Sequence, residues 1–125
     1  LNNLCGADCH GLYFSTHYAA AGAQGKTKEF IDKYHAKYGY VPDDVGALTW
    51  DAINLLLQAI QNTGGLTGDL QQDRDAIREQ LANTKEFDGI TGKMVFNGQN
   101  DPSKCAVIVK ISDAGAFEFY KSVCP

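Results

Sequence analysis

Four cysteines are the most reactive side chains of this sequence, and they lie in two pairs near its ends. Cys5 and Cys9 belong to the amino-terminal region, and Cys105 and Cys124 to the carboxyl-terminal region. Paired cysteines in so short a chain are typical of disulfide bonds and of an oxidising compartment. Three pairings are possible for four cysteines. We favour Cys5 with Cys9, which closes a tight loop, and Cys105 with Cys124, which joins two strands of a predicted hairpin.

The first pair is also compatible with haem attachment. Residues 5–10 are Cys-Gly-Ala-Asp-Cys-His, one residue longer than the Cys-x-x-Cys-His sequence to which c-type haem is bound. No other feature of the sequence indicates a haem pocket, and an apolar strand is predicted directly afterwards. The sequence therefore favours a disulfide and no cofactor.

Catalytic and metal-binding motifs are missing from the sequence. It contains neither Gly-x-Ser-x-Gly nor the Gly-x-x-x-x-Gly-Lys loop of nucleotide-binding proteins. His10, His17 and His35 are isolated along the chain, whereas a zinc site needs three or four converging ligands. Residues 97–101 are rich in oxygen atoms but lack the spacing of a calcium loop, so we interpret them as a turn. We predict neither an enzyme nor a metal site.

Net charge and length exclude further classes of protein. The net charge is −4 and the pI is near 5.2, so no basic stripe is available for nucleic acid or an anionic membrane. No apolar run approaches the ~20 residues of a membrane span. The 125 residues correspond to one domain, and the start at Leu1 rather than Met suggests a processed or excised piece.

Two amphipathic helices are predicted around a Gly/Pro break. In the first, Phe30, Tyr34 and Tyr38 recur at helical spacing, and Gly39 is a typical helix end. The second follows Pro42, with Asp43 or Asp44 as its cap. Its apolar residues repeat at three- and four-residue steps up to Gly64, at Val45, Leu48, Ala52, Leu55, Leu56, Ala59 and Ile60. This apolar arc is too wide for a helix that lies alone on a surface.

A third helix and several strands complete the predicted elements. Asp69 or Asp73 begins the helix, which directs Leu70, Ile77 and Leu81 inward. Strands are predicted at 12–16, around 94–97, at 106–111 and at 117–119, with a hairpin turn at 112–115. The sequence thus predicts an α/β chain with three helices followed by a C-terminal β-hairpin region.

The predicted strands are too few to cover the predicted helices. Helices as apolar as residues 44–62 usually cover a parallel sheet. Only one strand precedes the helices here, and the others are grouped after them instead of alternating with them. We therefore expect a segment outside this sequence to complete the apolar faces.

Four segments of the chain resemble one protein family: GLYFSTHY (11–18), FIDKYHAKYGYVP (30–42), ALTWDA (47–52) and FDGITGKMVFNG (87–98). In this order and spacing they are similar to the C-terminal third of a type I periplasmic binding protein of the leucine/isoleucine/valine-binding family. The similarity covers residues 11–120. The resemblance implies two Rossmann-like lobes that are joined by three crossing segments and hold a small molecule between them.

The resemblance also implies how the chain is divided. Residues 1–18 would be the end of the C-terminal lobe and the second crossing segment, and residues 19–88 the helical part of the N-terminal lobe. Residues 89–125 would be the third crossing segment and the last strands of the C-terminal lobe. The fragment would then hold pieces of both lobes and complete neither.

Candidate ligand contacts follow from the same resemblance. Crossing segments border the cleft, which nominates Ser15, Thr16, His17 and Tyr18. The start of the second helix nominates Ala47 and Trp50.

Alternatives at the second helix stay open. Ala47 aligns with a position that is bulky and aromatic in leucine-binding members, so an alanine would leave room for a larger ligand. Trp50 is equally compatible with a place in the core, and Asp51 with a local cap or hydrogen bond.

The predicted function is the capture of an amino acid or related small molecule by an extracytoplasmic protein of an ABC transporter. The implied partners are that ligand, the N-terminal remainder of the same protein and an ABC permease, and the implied location is periplasmic or extracellular. One alternative is a ligand-sensing domain of the same fold in a receptor or regulator. Another is a self-associating α/β interaction domain.

Overall fold

The structure, a computed structural model, describes residues 2–98 and 101–125. Part of the turn predicted at 97–101 therefore lies outside the described residues. The chain begins with a short helix, α1 (Asn2–Cys5), and a 3₁₀ turn (Gly6–Cys9). The Cys5–Cys9 disulfide joins these two turns, in the pairing that the sequence favours.

Helix α2 (Gly25–Tyr38) follows the predicted pattern of aromatic residues. It ends at Gly39, whose φ of 81° lies in the left-handed region and whose N–H bonds to the carbonyl of His35. A glycine adopts this conformation without steric cost, which explains the sharp end of the helix. Phe30 is the buried residue of α2 and contacts the rings of Tyr34 and Trp50.

Helix α3 (Asp44–Asn62) is the long apolar helix of the sequence. Asp43, one of the two predicted caps, accepts a hydrogen bond from the backbone N–H of Gly46. This bond satisfies one of the free donors of the first turn. The buried residues of α3 are Ala47, Asp51 and Ala59.

Helix α4 (Leu70–Ala82) contacts α3 and is capped by Asp69, which accepts from the N–H of Gln72. The side chain of Asp73 binds the preceding loop at Thr67 and Gly68 instead of capping the helix. No residue of α4 is buried, and Leu70 is 65% exposed. The prediction that Leu70 faces inward is therefore wrong for the chain as described.

Three strands form one antiparallel sheet with the order β1-β4-β5. They are β1 (Tyr13–Thr16), β4 (Ala106–Ile111) and β5 (Phe117–Val123). The chain connects β4 to β5 through the predicted hairpin, where the N–H of Ser112 bonds to the carbonyl of Ala116. The second disulfide, Cys105–Cys124, joins the beginning of β4 to the end of β5, again in the favoured pairing.

A separate two-stranded hairpin lies between the helices and β4. It consists of β2 (Glu86–Gly89) and β3 (Gly92–Val95), with Ile90 and Thr91 at its turn. Strand β2 is a feature that the sequence analysis did not predict. A bridge between Val95 and Ser103 extends the hairpin on the far side of the 97–101 segment.

The core of the described chain is small, and much apolar surface is uncovered. Tyr18, Phe30, Ala47 and Ile90 form the main buried cluster. In contrast, many large apolar side chains of α3 and its surroundings are exposed: Val45, Trp50, Ile53, Leu56, Leu57, Leu66 and Leu70. No helix of the described residues combines the length and hydropathy that a membrane crossing requires.

Candidate functional site

A cleft lies between the three-stranded sheet and the amino-terminal end of α3. Its volume is about 350 Å³, within the range of small-molecule sites. The sheet contributes Phe14, Thr16, Val109 and Phe117, and the connections around α3 contribute the opposite wall: Tyr18, Ala19, Ala20, Ala21, Val41, Pro42, Asp43 and Asp44.

Side chains of strand β1 point alternately to its two faces, and this determines which of the predicted residues line the cleft. Phe14 and Thr16 are half-buried and share the face that lines the cleft, whereas Ser15 is exposed. The hydroxyl of Thr16 donates to Oδ2 of Asp44 across the cleft, at 3.4 Å. This long bond is a direct polar contact between the sheet and α3, and a ligand that binds either group would replace it.

Tyr18 is the most deeply buried of the four residues predicted at 15–18. It is only 7% exposed, yet its hydroxyl has no hydrogen-bond partner among the described residues. Burial also raises the pKa of Tyr18 to about 12, so the phenol is neutral at physiological pH. A buried hydroxyl without a partner is costly, and it is available to a ligand or to another segment of protein.

His17 and Tyr18 line a second, smaller cavity of about 210 Å³ on the other side of the 17–23 connection. Its further walls come from the turn of the β2–β3 hairpin, at Ile90 and Thr91, and from Phe119 of the sheet. His17 is exposed, so the structure separates it from the cleft that contains Thr16.

Ala47 and Trp50 occupy different surroundings from the residues of β1. Ala47 is fully buried beneath the cleft, in the cluster with Tyr18 and Phe30. Trp50 is 49% exposed and lines a groove of about 490 Å³ between α2 and α3. Only Thr16 and Tyr18 of the six nominated residues therefore lie on the wall of the cleft, and contact of any of them with a ligand stays a prediction.

Charge in the cleft comes from carboxylates alone. Asp43 and Asp44 line it, and none of the lining residues that the structure describes is Lys, Arg or His. Asp43 is already engaged as the cap of α3. The carboxylate of Asp44 can therefore accept a hydrogen bond from a ligand, and the rings of Phe14, Tyr18 and Phe117 offer apolar surface to it.

Asp51 is the polar residue that the sequence analysis underestimated. The side chain is 2% exposed and accepts hydrogen bonds from the backbone N–H groups of Ile90 and Thr91, at 2.7 and 2.9 Å, and from the Thr91 hydroxyl at 2.6 Å. These partners lie 39 and 40 residues away, so the bonding is not local. The adjacent Thr-Gly in the FDGITG segment marks a turn, but only the fold brings Asp51 to it.

Residues 20–27 come close to a phosphate-binding loop, with Ala20 in place of its first glycine. The structure assigns other partners to the two residues on which such a loop depends. Lys26 bonds to the carbonyl of Asp88 at 2.7 Å, and the hydroxyl of Thr27 bonds to the carbonyl of Ile90 at the same distance. Lys26 and Thr27 therefore connect α2 to the β2–β3 hairpin through hydrogen bonds. Among the described residues, no group of three His, Cys, Asp or Glu side chains is arranged to hold a metal ion.

The family model for periplasmic binding proteins matches residues 1–116. The chain belongs to the periplasmic binding protein family. This result confirms the resemblance seen in the sequence. Among curated proteins, none matches the sequence significantly.

Solved structures of individual periplasmic binding proteins are similar to almost the whole of this chain. The leucine-binding protein LivK of Thermotoga maritima is 30% identical, with a TM-score of 0.81 over 99% of this chain and 34% of its own. LivJ of Streptococcus pneumoniae, a branched-chain amino acid transporter substrate-binding protein solved with isoleucine, is 27% identical, with a TM-score of 0.74 over 95% of this chain. A benzoate complex from R. palustris is 18% identical and shares the fold, with a TM-score of 0.77.

This chain spans about a third of the length of the periplasmic binding proteins that it matches. The α/β fold is therefore that of the C-terminal portion of a two-lobed protein, as predicted. Family membership also agrees with a solute-binding rather than an enzymatic fold. The assignment of residues 1–18, 19–88 and 89–125 to lobes and crossing segments stays a prediction.

Proposed function

We propose that this chain is part of an extracytoplasmic solute-binding protein that captures an amino acid or a related small molecule for an ABC transporter. The observation that carries the proposal is the cleft between the sheet and α3, where Thr16 and Asp44 face each other within a periplasmic binding protein fold. Two relatives that are at least 25% identical are named as a leucine-binding protein and as a substrate-binding protein of a branched-chain amino acid transporter. The proposed location is periplasmic or extracellular, which the two disulfides support.

The two sides of the cleft would belong to different lobes. The sheet of β1, β4 and β5 would be part of the C-terminal lobe, and the helices α2 to α4 part of the N-terminal lobe. The residues that connect them would be about 17–24 and 103–105, because β1 ends at Thr16 and β4 begins at Ala106. This proposal shifts the boundaries at residues 18 and 89 that the resemblance implies toward the carboxyl terminus. The β2–β3 hairpin would then remain with the helices, to which Lys26, Thr27 and Asp51 bind it.

The chemistry of this wall restricts which end of the ligand it contacts. Asp44 repels an anionic group, and the described lining residues include no cation to neutralise one. We therefore propose that the ligand presents an amino, hydroxyl or apolar group to Thr16, Tyr18 and Asp44. Its carboxylate would be bound by the part of the protein outside this chain. Ser15, His17, Ala47 and Trp50 would act around the cleft and not on its wall.

The first test is a ligand screen by thermal shift. It uses the longest natural polypeptide that contains this chain, with leucine, isoleucine, phenylalanine, lysine, glutamate and benzoate as probes. A ligand that binds only the native state raises the melting temperature in proportion to RT ln(1 + [L]/Kd). We expect a shift with at least one neutral or cationic amino acid and none with glutamate. If no probe shifts the melting temperature, the proposal fails.

The second test assigns the ligand to this cleft by calorimetry with the best probe. Thr16→Val removes the hydroxyl but keeps the shape of the side chain, so affinity should fall about tenfold, the value of one net hydrogen bond. Thr63→Val makes the same change at the other end of α3, where the hydroxyl bonds only to Ile60 and Gly65. That control should leave Kd within about twofold of the wild type. Equal effects of the two substitutions would contradict a ligand site at Thr16.

A further inference from the structure

Side chains of both α2 and α3 form hydrogen bonds to the backbone at the turn of the β2–β3 hairpin. Two backbone N–H groups of the turn, at Ile90 and Thr91, donate to Asp51 of α3, and the carbonyl of Ile90 accepts from Thr27 of α2. Gly89 sits directly against the Asp51 carboxylate, because a Cβ at this position would lie 2.3 Å from its Oδ2. Any other residue at 89 would displace either the turn or the carboxylate.

The hydrogen bonds continue from this turn to a lysine on the far side. The hydroxyl of Thr91 donates to Oδ2 of Asp51 at 2.6 Å and accepts from Nζ of Lys104, also at 2.6 Å. The hydroxyl thus stands between a buried carboxylate and a half-buried ammonium group. Burial lowers the pKa of Lys104, and the attraction of the Asp51 charge opposes this change.

These hydrogen bonds link α3 to the beginning of strand β4, because Lys104 lies just before that strand. Lys104 precedes Cys105, the residue whose disulfide holds the end of β5, and β4 begins at Ala106. Strand β4 in turn pairs with β1, which carries Thr16 on the wall of the cleft. Among the described residues, a direct hydrogen bond between α3 and the sheet is the 3.4 Å contact of Thr16 with Asp44, both of which are half-buried.

We propose that the Asp51–Thr91–Lys104 relay is the anchor that sets the position of the three-stranded sheet relative to α3, and hence the width of the cleft. The three residues are positioning residues, since none of them lines the cleft. The hydrogen bonds of the relay are short and two of its three residues, Asp51 and Thr91, are buried, whereas the contact of Thr16 with Asp44 is long and accessible. A change in the width of the cleft would therefore break the latter first, with the relay as the fixed point. The inference rests on the proposed function only in taking the sheet and the helices as parts of different lobes.

Spin-label distances in the longest natural polypeptide test this inference without any ligand. Nitroxides on cysteines at Gln58 of α3 and Lys121 of β5, both exposed positions, report the separation of the helix from the sheet. Thr91→Val removes the central hydroxyl, and Lys104→Met removes the donor while it keeps the aliphatic chain. We expect each substitution to add a distance population that the wild type lacks, with the circular dichroism spectrum unchanged.

Two matched variants separate the relay from a general loss of packing. Thr91→Ser restores the hydroxyl and should restore the wild-type distances. Lys26→Met removes another lysine that binds this hairpin, at the exposed carboxylate and the carbonyl of Asp88, and should leave the distances unchanged. The inference is overturned if Lys104→Met gives the wild-type distribution, if Thr91→Val does so, or if Lys26→Met alters it as much. Because the comparison uses no ligand, a failed ligand screen would count against the proposed function alone.

Discussion

The hydroxyl of Tyr18 is a buried polar group that lacks a hydrogen-bond partner among the described residues. It is buried at the junction of the cleft and the core, and the described residues provide no hydrogen bond to it. A phenol in this environment loses its interaction with water without compensation. At the scale of single residues, the hydrogen bonding of the Tyr18 hydroxyl is therefore a direct indicator of what binds in the cleft.

Replacement of Tyr18 by Phe should have opposite effects on stability and on binding. Without ligand, Tyr18→Phe should raise the free energy of unfolding of this chain by about 1 kcal/mol, because an unsatisfied hydroxyl is removed. If the hydroxyl binds the ligand in the longer polypeptide, the same substitution weakens affinity. Urea denaturation and calorimetry measure the two effects. A loss of stability of the chain on its own would show that the hydroxyl already has a partner.

The high pKa of Tyr18 adds an alkaline signature to this comparison. The folded-state pKa of about 12 exceeds the ordinary tyrosine value of 10.0, so ionisation of this phenol does not favour the unfolded state below pH 10. As pH rises from 10 through 12, the phenol ionises more readily in the unfolded chain, and the free energy of unfolding falls. The wild type should consequently lose more stability than Tyr18→Phe over that interval, measured by circular dichroism during unfolding. Parallel curves for the two proteins would contradict the burial of the phenol.

Asp51 should be the most sensitive polar position of the chain. Asp51→Asn keeps the size of the side chain but removes the charge and directs an NH₂ group toward donors, so the free energy of unfolding should fall by about 2–4 kcal/mol. The fluorescence of Trp50, the only tryptophan, provides the signal in urea. Asp75→Asn is the matched control, because Asp75 bonds only to exposed Gln71 and Arg78. The control should change stability by less than about 0.5 kcal/mol, and an equal effect would contradict the role of Asp51.

The limits of sequence reasoning are visible at these residues. Ser15 to Tyr18 could be nominated as a group, but the alternation of a strand turns Ser15 away and the next connection takes His17 to a different cavity. For Asp51 the sequence is compatible only with a local cap or a local hydrogen bond, because helical spacing says nothing about a partner 40 residues away. Periodicity identifies which face of an element is polar, but it does not identify what that face meets.

At the scale of elements, helix-capping residues predicted the structure better than the distribution of apolar residues did. Gly39, Asp43 and Asp69 set helix boundaries that the structure reproduces, because each satisfies the backbone groups of a helix end. Strand β2 was missed because Glu86 to Gly89 contains a single large apolar residue, Phe87, and pairs only through its hairpin partner. The predicted inward orientation of Leu70 failed for a related reason, since the described residues contain nothing that covers this side chain.

The two disulfides should differ in their contribution to stability. The Cys105–Cys124 bond closes a loop with a sequence separation of 19, and the Cys5–Cys9 bond one of 4. The chain-entropy model assigns about 3 kcal/mol to the longer loop and about 2 kcal/mol to the shorter. Paired Cys→Ser variants, compared by urea denaturation under oxidising conditions, measure both. A larger loss for the Cys5/Cys9 pair would contradict this order.

At the scale of the whole molecule, we propose that further parts of a periplasmic binding protein cover the exposed face of α3. Trp50, Ile53 and Leu57 form a helical stripe that is about half exposed, although such residues usually lie in a core. The sequence predicted this deficit, because apolar helices occurred without the strands that would cover them. The chain spans about a third of the matching structures, which supports this proposal.

The exposed stripe leads to a test that compares the isolated chain with the longer polypeptide. Leu57→Gln should change the stability of the isolated chain by less than about 0.5 kcal/mol, since the side chain is already half in water. It should also reduce self-association in sedimentation velocity. In the longer polypeptide, where we propose that the stripe is covered, the same substitution should cost about 2 kcal/mol or more. Equal small effects in both proteins would show that the stripe stays exposed.

Hydrogen–deuterium exchange of the longer polypeptide, with and without the best ligand of the thermal-shift screen, tests the central claim most directly. If the cleft between β1 and α3 holds the ligand, protection should increase in peptides that cover residues 14–18 and 41–46. Peptides of α4 and of β5 beyond Phe119, which do not line the cleft, should exchange as before. Protection confined to the groove around Trp50, or spread evenly over the chain, would contradict the account.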